Sequence, residues 1–599
     1  MAPSFSATST IEGDRHHHHD RHIGDGGDDC DAAGAPDALA VVEAALARLP
    51  EDVGAIFEPE VIAALCALRC RDVAAYQRLR QQAKKLNPAC SITALDAAVR
   101  GESEGTEESS TLDELVALAR AQCQLHHDAD RRAVAVIPMP DRREVWRVQS
   151  SGFEDWLRAA YWCARQAGVT DTTMKAALAT LSAAGINDGD SIEVHVRAVR
   201  WQDGYVIDLC DERWQAVEVN PRGWRVVAAS PVLFTRPPSM RPLPMPAANG
   251  DISLLWRHTN IPPNRRVLVL AWLLDGWRPD TPFPVLELVG EQGSAKSTTQ
   301  TVLRSLIDPN KVMLRGRPKT VEDIFVAAAN NWLVSYENLS GLTPEQQDAL
   351  CTLSTGGGFA ARQLYTNGEE HVMETKRPVA LNGIAVVATR PDLIDRVIHV
   401  DLPTIAPEAR RDDADAQAQW ERDRPRVFAG LLDLFASALA ILPTVTLARK
   451  QRMADFERLG EAVARALGFE AGEFQRQYAE LVRAGIDRAL ESNAVAQALD
   501  KYIAERLTPL NWQGTAGQLY DLLGNFGIPD RSTWPRSPKG LADQLRRIAP
   551  AYRAKGIDIS HLGHGRDGAL WRIAQTTQHA TPPGVPSSMG GIRYGEHRG

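Results

Sequence analysis

The sequence predicts an α/β core, preceded by helical and mixed α+β regions, followed by a further helical region, and closed by a small basic module. Three observations predict it. "PVLELVGEQGSAKSTTQTVLRSLI" is a short apolar strand, a glycine-containing turn and a run with helical period. Further apolar strands recur in "NWLVSYENLSGL", "RPVALNGIAVVAT" and "PDLIDRVIHVDLP". Near the C-terminus, "TAGQLYDLL" and "SPKGLADQLRRIAPAYRAKGIDISHLGHGRDGALWRI" give a helix, a longer helix entered through Ser537-Pro538, and a two-stranded wing.

The 599 residues suffice for several domains at about 150 residues each. Residues 1–36 are rich in Gly, Asp, Ser and His and predict a disordered tail; its run His16 to His19 could bind a metal in vitro. Residues 37–100 carry helical periodicity, and the helix ending at Lys84 and Lys85 places cations at a helix C-terminus. Residues 101–112 read as a linker. Between 113 and 245 the pattern is mixed: "AVAVIP" and "EVWRVQ" predict paired strands, a Trp-bearing helix follows, and alternation from Ser191 to Val227 predicts a small antiparallel sheet. Its Trp201, Trp214 and Trp224 are core residues on one reading and a base-stacking platform on the other. The core spans 250–405, a helical region 406–505, the basic module 509–574, and residues 575–599 predict a second disordered tail.

Eight cysteines, among them Cys66 and Cys70, lack paired C-x-x-C spacing and predict no metal site. The longest apolar run considered, Val267 to Leu274, is far short of the ~20 residues of a membrane span. No membrane is therefore expected, and without a hydrophobic signal core the expected location is the cytoplasm. A formal charge of −9 excludes a general polycation, so any nucleic-acid contact must be local. Between Arg536 and Arg572, eight Lys/Arg face three acids, among them Lys539, Arg546, Arg547 and Arg566; these four are candidate contacts to DNA, against the alternative of a solvated charged helix.

The stretch Gly290, Gln292, Gly293, Ser294, Ala295, Lys296, Ser297 and Thr298 nearly fits G-x-x-x-x-G-K-[S/T], with Ala295 where the second glycine is expected. In such a loop backbone N–H groups wrap phosphates at a helix N-terminus, the Lys296 ammonium reaches the β and γ phosphates, and the Ser297 hydroxyl binds Mg²⁺. Gly293 is expected to supply the position of positive φ, and Ala295 to start the helix, where alanine is comfortable. Glu337 ends the next apolar strand and is the candidate acid for Mg²⁺. Asn382, a polar residue in the third strand, could orient the attacking water. Arg396 is the first candidate for an arginine reaching a neighbouring subunit's nucleotide, with Arg390 and Arg377 competing. Asn367-Gly368 predicts a hairpin that could line a ring's pore, with Arg362 and Lys376 as possible phosphate contacts beside an acidic tip at Glu369-Glu370.

This order of motifs resembles the AAA+ superfamily, and within it the superfamily 3-type DNA helicases of phages, plasmids and integrative elements, the helicase half of primase-helicases. The resemblance runs from about Leu112 to Ile573 and rests on "GEQGSAKST", "ENLSGL", "LSTGGGFAARQLYTNGEE", "RPVALNGI" and "ATRPDLIDRVI". It implies a P-loop NTPase core of AAA+ type with a winged-helix-like C-terminal domain, binding ATP and Mg²⁺. It also implies a homo-oligomeric ring, a hexamer, translocating on single-stranded or forked DNA. Lys296 and Ser297 fall on Walker A, Glu337 on Walker B, Asn382 on sensor 1 and Arg396 on an arginine-finger position. The sequence departs from the pattern at Glu337, where aspartate is more usual, and at Asn338, where many relatives carry a second carboxylate. No primase motif precedes the core, so the polymerising half either belongs to a separate partner, a primase, or has been lost. The alternative is a nucleotide-switched DNA-binding or regulatory protein that does not unwind.

Overall fold

The computed structural model describes residues 38–103, 110–362, 370–447, 449–491, 493–506, 510–526, 534–565 and 568–575. The predicted N-terminal tail with His16 to His19, the predicted C-terminal tail apart from Gln575, the Asn367-Gly368 turn with Glu369, and Arg566 lie outside the described residues. The chain divides into two units, 1–110 and 111–599.

In the first unit, helices α1 (Ala38–Arg48), α2 (Pro59–Arg71), α3 (Val73–Leu86) and α4 (Ile92–Ser103) bury Val42, Leu46, Val61, Leu65, Tyr76 and Leu95 together. Pro59 opens α2, and the Asp72 carboxylate caps α3 by accepting the Ala75 N–H. The Lys84 ammonium donates to the carbonyls of Pro88 and Cys90 just past the α3 C-terminus. Helix α4 continues to Ser103, so helix occupies the first residues of the stretch read as a linker.

The second unit opens with α5 (Thr111–Gln122), β1 (Gln124–His127), β2 (Ala133–Pro138), β3 (Arg143–Arg147), α6 (Ser151–Arg165) and α7 (Asp171–Asn187). The antiparallel sheet β1-β2-β3 packs on the helices through Leu115, Phe153, Leu157, Met174 and Leu181. A meander follows, β4 (Ala198–Trp201), β5 (Gly204–Asp208), β6 (Ala216–Asn220) and β7 (Gly223–Val227). Its tryptophans do not form a platform. Trp214 is buried under the Arg236 guanidinium, and the Trp224 indole N–H donates to Asp433 at 2.8 Å.

Next come α8 (Leu255–His258), α9 (Arg266–Asp275), β8 (Val285–Val289), α10 (Lys296–Ile307), α11 (Val321–Asn330), β9 (Val334–Leu339) and α12 (Pro344–Thr355). They are followed by the hairpin β10 (Gly357–Arg362) and β11 (Glu370–Thr375), then β12 (Val379–Gly383), α13 (Pro391–Ile394) and β13 (Val397–Asp401). The sheet is parallel throughout, in the order β13-β8-β12-β9. Both faces are covered, which is why its strands read as continuous apolar runs. Leu286, Leu288 and Val400 meet α9 and α14 (Asp413–Ile441) on one side, while Val285, Val334 and Leu381 meet α11 and α12 on the other.

Helix α14 corrects the reading of apolar runs. Together with the turn after it, it is long and apolar enough to cross a membrane by length and composition, and it outlasts Val267 to Leu274. Its apolar stretch is largely buried here, with Val427, Phe428, Leu431, Leu432 and Phe435 in the core beside α9, α15 (Ala454–Ala466) and α16 (Glu473–Glu491).

The remaining elements are α17 (Ala494–Ala504), β14 (Asn511–Thr515), α18 (Ala516–Gly524), α19 (Pro538–Ala554), β15 (Ile557–Gly565) and β16 (Gly568–Gln575). Their sheet order is β14-β16-β15, and Val495, Leu499, Leu519, Leu523, Leu541, Leu545 and Trp571 form one core. Because α17 contributes Val495 and Leu499, the C-terminal module begins near Asn493, not at 509.

Candidate functional site

In a parallel sheet, chemistry collects where the strands end and helices begin. Here β8 runs into Gly290, β9 ends around Glu337 and β12 carries Asn382 opposite Leu288, so the predicted residues share one edge. The loop Gly290 to Ala295 returns the chain into α10. Gly293 has φ +86°, as expected. Ala295 does not lie comfortably in the helix: it is the N-cap, at φ +55° and ψ +35°. The missing glycine therefore falls on a left-handed position, where a Cβ costs about 1–2 kcal/mol.

The Lys296 ammonium folds back on this loop and donates to the carbonyls of Gly290 and Glu291, both at 2.8 Å. Partial burial lowers its pKa. A phosphate in the loop would offer that ammonium a charged acceptor in place of two neutral ones. Ser294 is buried, and its hydroxyl donates to the Glu291 carbonyl, so it braces the loop. Gln292 and Thr298 are exposed at the rim.

Across from the loop, the Ser297 hydroxyl donates to the Glu337 carboxylate at 3.1 Å. A hydroxyl and a carboxylate at that separation, beside a lysine, fit the donor set of a Mg²⁺ held against phosphate. Glu337 is aimed there by a bulge. The register between β12 and β9 shifts between Leu381 and Gly383, and Asn338 sits at φ +53°. Asparagine tolerates that conformation better than most residues. The Asn338 N–H donates to the Asn382 side-chain carbonyl at 2.9 Å.

Asn382 is fully buried, and its amide N–H donates to Gln300 at 2.6 Å. Gln300 in turn donates to Ser335, Tyr336 and Ala380, tying α10, β9 and β12 together. Asn382 therefore uses both ends of its amide inside the protein and ties α10 to the strand carrying Glu337. Sequence reasoning missed Gln300, whose signal was a polar residue on the buried face of α10. It also missed Asn260, which donates to the carbonyls of Ser294 and Pro403. Arg410 is a third: its guanidinium lies 3.1 Å from where a Cβ on Gly293 would be, on an exposed side chain beside the loop.

The arginines differ from expectation. Arg396 is buried, and its guanidinium donates to the Asp392 carbonyl of its own chain. Arg377 is partly buried, donating to Ala328 and Asn331 carbonyls and lying over Trp332. Arg390 is about one third exposed and pairs with Asp348 at 3.0 Å. Lys376 is half-buried over the Phe283 ring, and the Arg362 side chain lies outside the description. Lys539 is exposed at the start of α19. Arg546 and Arg547 are exposed but line a groove of about 570 Å³ shared with Arg390, Asp392 and Arg452 of the core. Among the described residues no group of His, Cys, Asp and Glu is arranged to hold a metal ion by itself.

Fold and site together define a mixed α/β protein whose candidate site, a lysine, a hydroxyl and a carboxylate, lies at the carboxyl edge of a parallel sheet. Residues 252–482 match the family model of the actinomycete integrative conjugative element replication protein, and residues 495–587 that of the RepA C-terminal domain of the same elements. Successive along the chain, the two matches make it read as a replication protein of an integrative conjugative element. The boundary between them agrees with a C-terminal module that includes α17. No curated protein matches the chain. Among solved structures, the C-terminal region of NrS-1 is 10% identical, with a TM-score of 0.35, covering 78% of this chain and 99% of that one. The JCV helicase is 13% identical, with a TM-score of 0.19, covering 37% of this chain and 66% of that one. At these TM-scores the likenesses carry no argument.

Proposed function

We propose that the chain is an ATP-dependent DNA helicase or translocase of the AAA+ type, a P-loop ATPase serving replication of the integrative element in the host cytoplasm. The observation that carries the reading is the Ser297 to Glu337 contact at 3.1 Å beside a lysine held by neutral groups of the loop, the Gly290 and Glu291 carbonyls and the Ser294 hydroxyl. Backbone N–H groups from Gly293 to Ser297 would wrap the phosphates, Lys296 would pair with the β and γ oxygens, and Ser297 and Glu337 would hold Mg²⁺. Bound there, Mg²⁺ supplies charge neutralisation of the transferred phosphoryl group. Asn382 acts at one remove, fixing the backbone after Glu337. If the chain assembles as a ring, the arginine offered to the next subunit is Arg390 and not Arg396. The C-terminal order of helix, strand, two helices and two strands supports a winged-helix-like domain contacting DNA through Lys539 at the start of α19.

A second reading is favoured by a specific observation. Asn338 supplies no carboxylate next to Glu337, and its backbone is committed to Asn382. On that reading nucleotide binding switches assembly or DNA affinity without unwinding. Strand displacement on forked DNA with ATP and Mg²⁺ decides between the two: displacement by wild type and none by Lys296→Ala supports the motor, whereas nucleotide-dependent DNA binding without displacement supports the switch.

A further inference from the structure

At the free edge of the sheet, beyond β9, the chain passes through "RGRPK". Arg315 is stitched to β9 from both sides: its N–H donates to the Ser335 carbonyl at 3.0 Å, and its carbonyl accepts the Glu337 N–H at 2.8 Å. Between this segment and α11 lies a groove of about 670 Å³ lined by Arg315, Arg317, Lys319, Asp323, Val326 and Tyr336. None of the three cations has an acidic partner within ion-pair distance among the described residues. Asp323 is committed to capping α11 and accepts the backbone N–H groups of Lys319 and Thr320. At the groove the Tyr336 hydroxyl is buried without a hydrogen-bond partner, as is the Nε of Arg315. Buried polar groups left unmatched cost about 1–3 kcal/mol each, so both are suited to an oxygen-rich ligand. Val326, half-exposed on the α11 wall, adds an apolar contact that inorganic phosphate would not use.

We propose that this groove binds the backbone of a single DNA strand and reports its occupancy to Glu337 through Arg315. Unpaired cations, a buried hydroxyl donor and an apolar wall are what a strand with exposed sugars and bases requires. The link is short: Tyr336 faces the strand, and the next residue's N–H is held by Arg315. The coupling, though not the binding, rests on the reading of Glu337 as the Mg²⁺ acid.

The test is anisotropy of a fluorescent single-stranded oligonucleotide titrated with the full chain between about 50 and 200 mM salt. Wild type is compared with Arg317→Glu/Lys319→Gln and with Tyr336→Phe. The double variant should bind at least about fivefold more weakly, with a salt slope smaller by about 1.4, two contacts at about 0.7 each. Tyr336→Phe should weaken binding about two- to fivefold at a melting temperature no lower than that of wild type, since the substitution removes an unmatched buried hydroxyl. Unchanged affinity and slope would overturn the proposal. So would competition by inorganic phosphate, which makes this a free-phosphate site, or a change in sedimentation alone, which assigns the groove to an acidic protein surface. Lys296→Ala keeps the groove intact and should bind DNA as wild type does. An absence of ATP hydrolysis in the wild type would thus sink the functional reading while the binding result still stands.

Discussion

At the scale of single residues, Ala295 and Asn338 are the informative positions. Both adopt positive φ beside the candidate site, at +55° and +53°. Ala295→Gly should relieve about 1–2 kcal/mol of left-handed strain while adding about 0.4–1 kcal/mol of unfolded-chain freedom. The net stabilisation is about 0.5–1 kcal/mol, read as a rise in melting temperature. An unchanged or lower melting temperature would mean that the loop relaxes around alanine. The sequence named Lys296, Ser297 and Glu337 because their spacing is tied to a strand, a turn and a helix, which local pattern reveals. It misplaced Ala295, because one residue decides between the N-cap and the first turn. It did not reveal that Arg396 is buried, because burial against Asp392 depends on a fold that spacing does not encode.

At the scale of elements, two buried polar links hold the core sheet and its helices in place. Arg197, fully buried ahead of the meander, donates to Asp308 at the end of α10, and Asp308 also accepts the N–H groups of Trp332 and Leu333 leading into β9. Removing the carboxylate with Asp308→Ala leaves a buried guanidinium unpaired and should cost about 3–5 kcal/mol, read as a lowered denaturation midpoint. A loss under 1 kcal/mol would show that water or Asp208 compensates.

The second link crosses β8 and β13. Glu287 accepts the Val387 and Ala388 N–H groups and His399, and His399 also contacts Asp401 at 2.9 Å. Burial alone would lower the His399 pKa, but the hydrogen bonds to Asp401 and Glu287 outweigh it and raise it above 6.5. Its stabilisation is then complete below about pH 6.5 and is lost as pH rises through the raised value. Asp401 is held low chiefly by its hydrogen bond to His399, so its share is lost only as pH falls into the acid range. Melting temperature should therefore fall between pH 6 and 9 in wild type and fall less in His399→Phe. Equal slopes would remove His399 from the account. Neither link was legible beforehand, since each joins residues about a hundred positions apart.

At the scale of the whole molecule, the order of regions was legible and their edges were less so. The sheet strands announced themselves as apolar runs, because both faces are covered. The start of the C-terminal module did not, because α17 looks like the helices before it until its contacts with α18 and α19 are known. A chain ending at Glu491 should stay soluble and monodisperse, whereas one ending at Glu505 keeps α17 with Val495, Leu499 and Tyr502 stripped of their partners and should aggregate. Equal behaviour on size-exclusion chromatography would put the boundary elsewhere.

The central claim, that the carboxyl edge of the sheet is an ATPase site, is met most directly by steady-state phosphate release from ATP with Mg²⁺, with and without single-stranded DNA, for wild type and Lys296→Ala. The account predicts Mg²⁺-dependent release by wild type, faster with DNA, and a loss of at least about a hundredfold in the variant, about 2.7 kcal/mol of transition-state stabilisation. Release by Lys296→Ala at the wild-type rate, or none by wild type with DNA present, would contradict it.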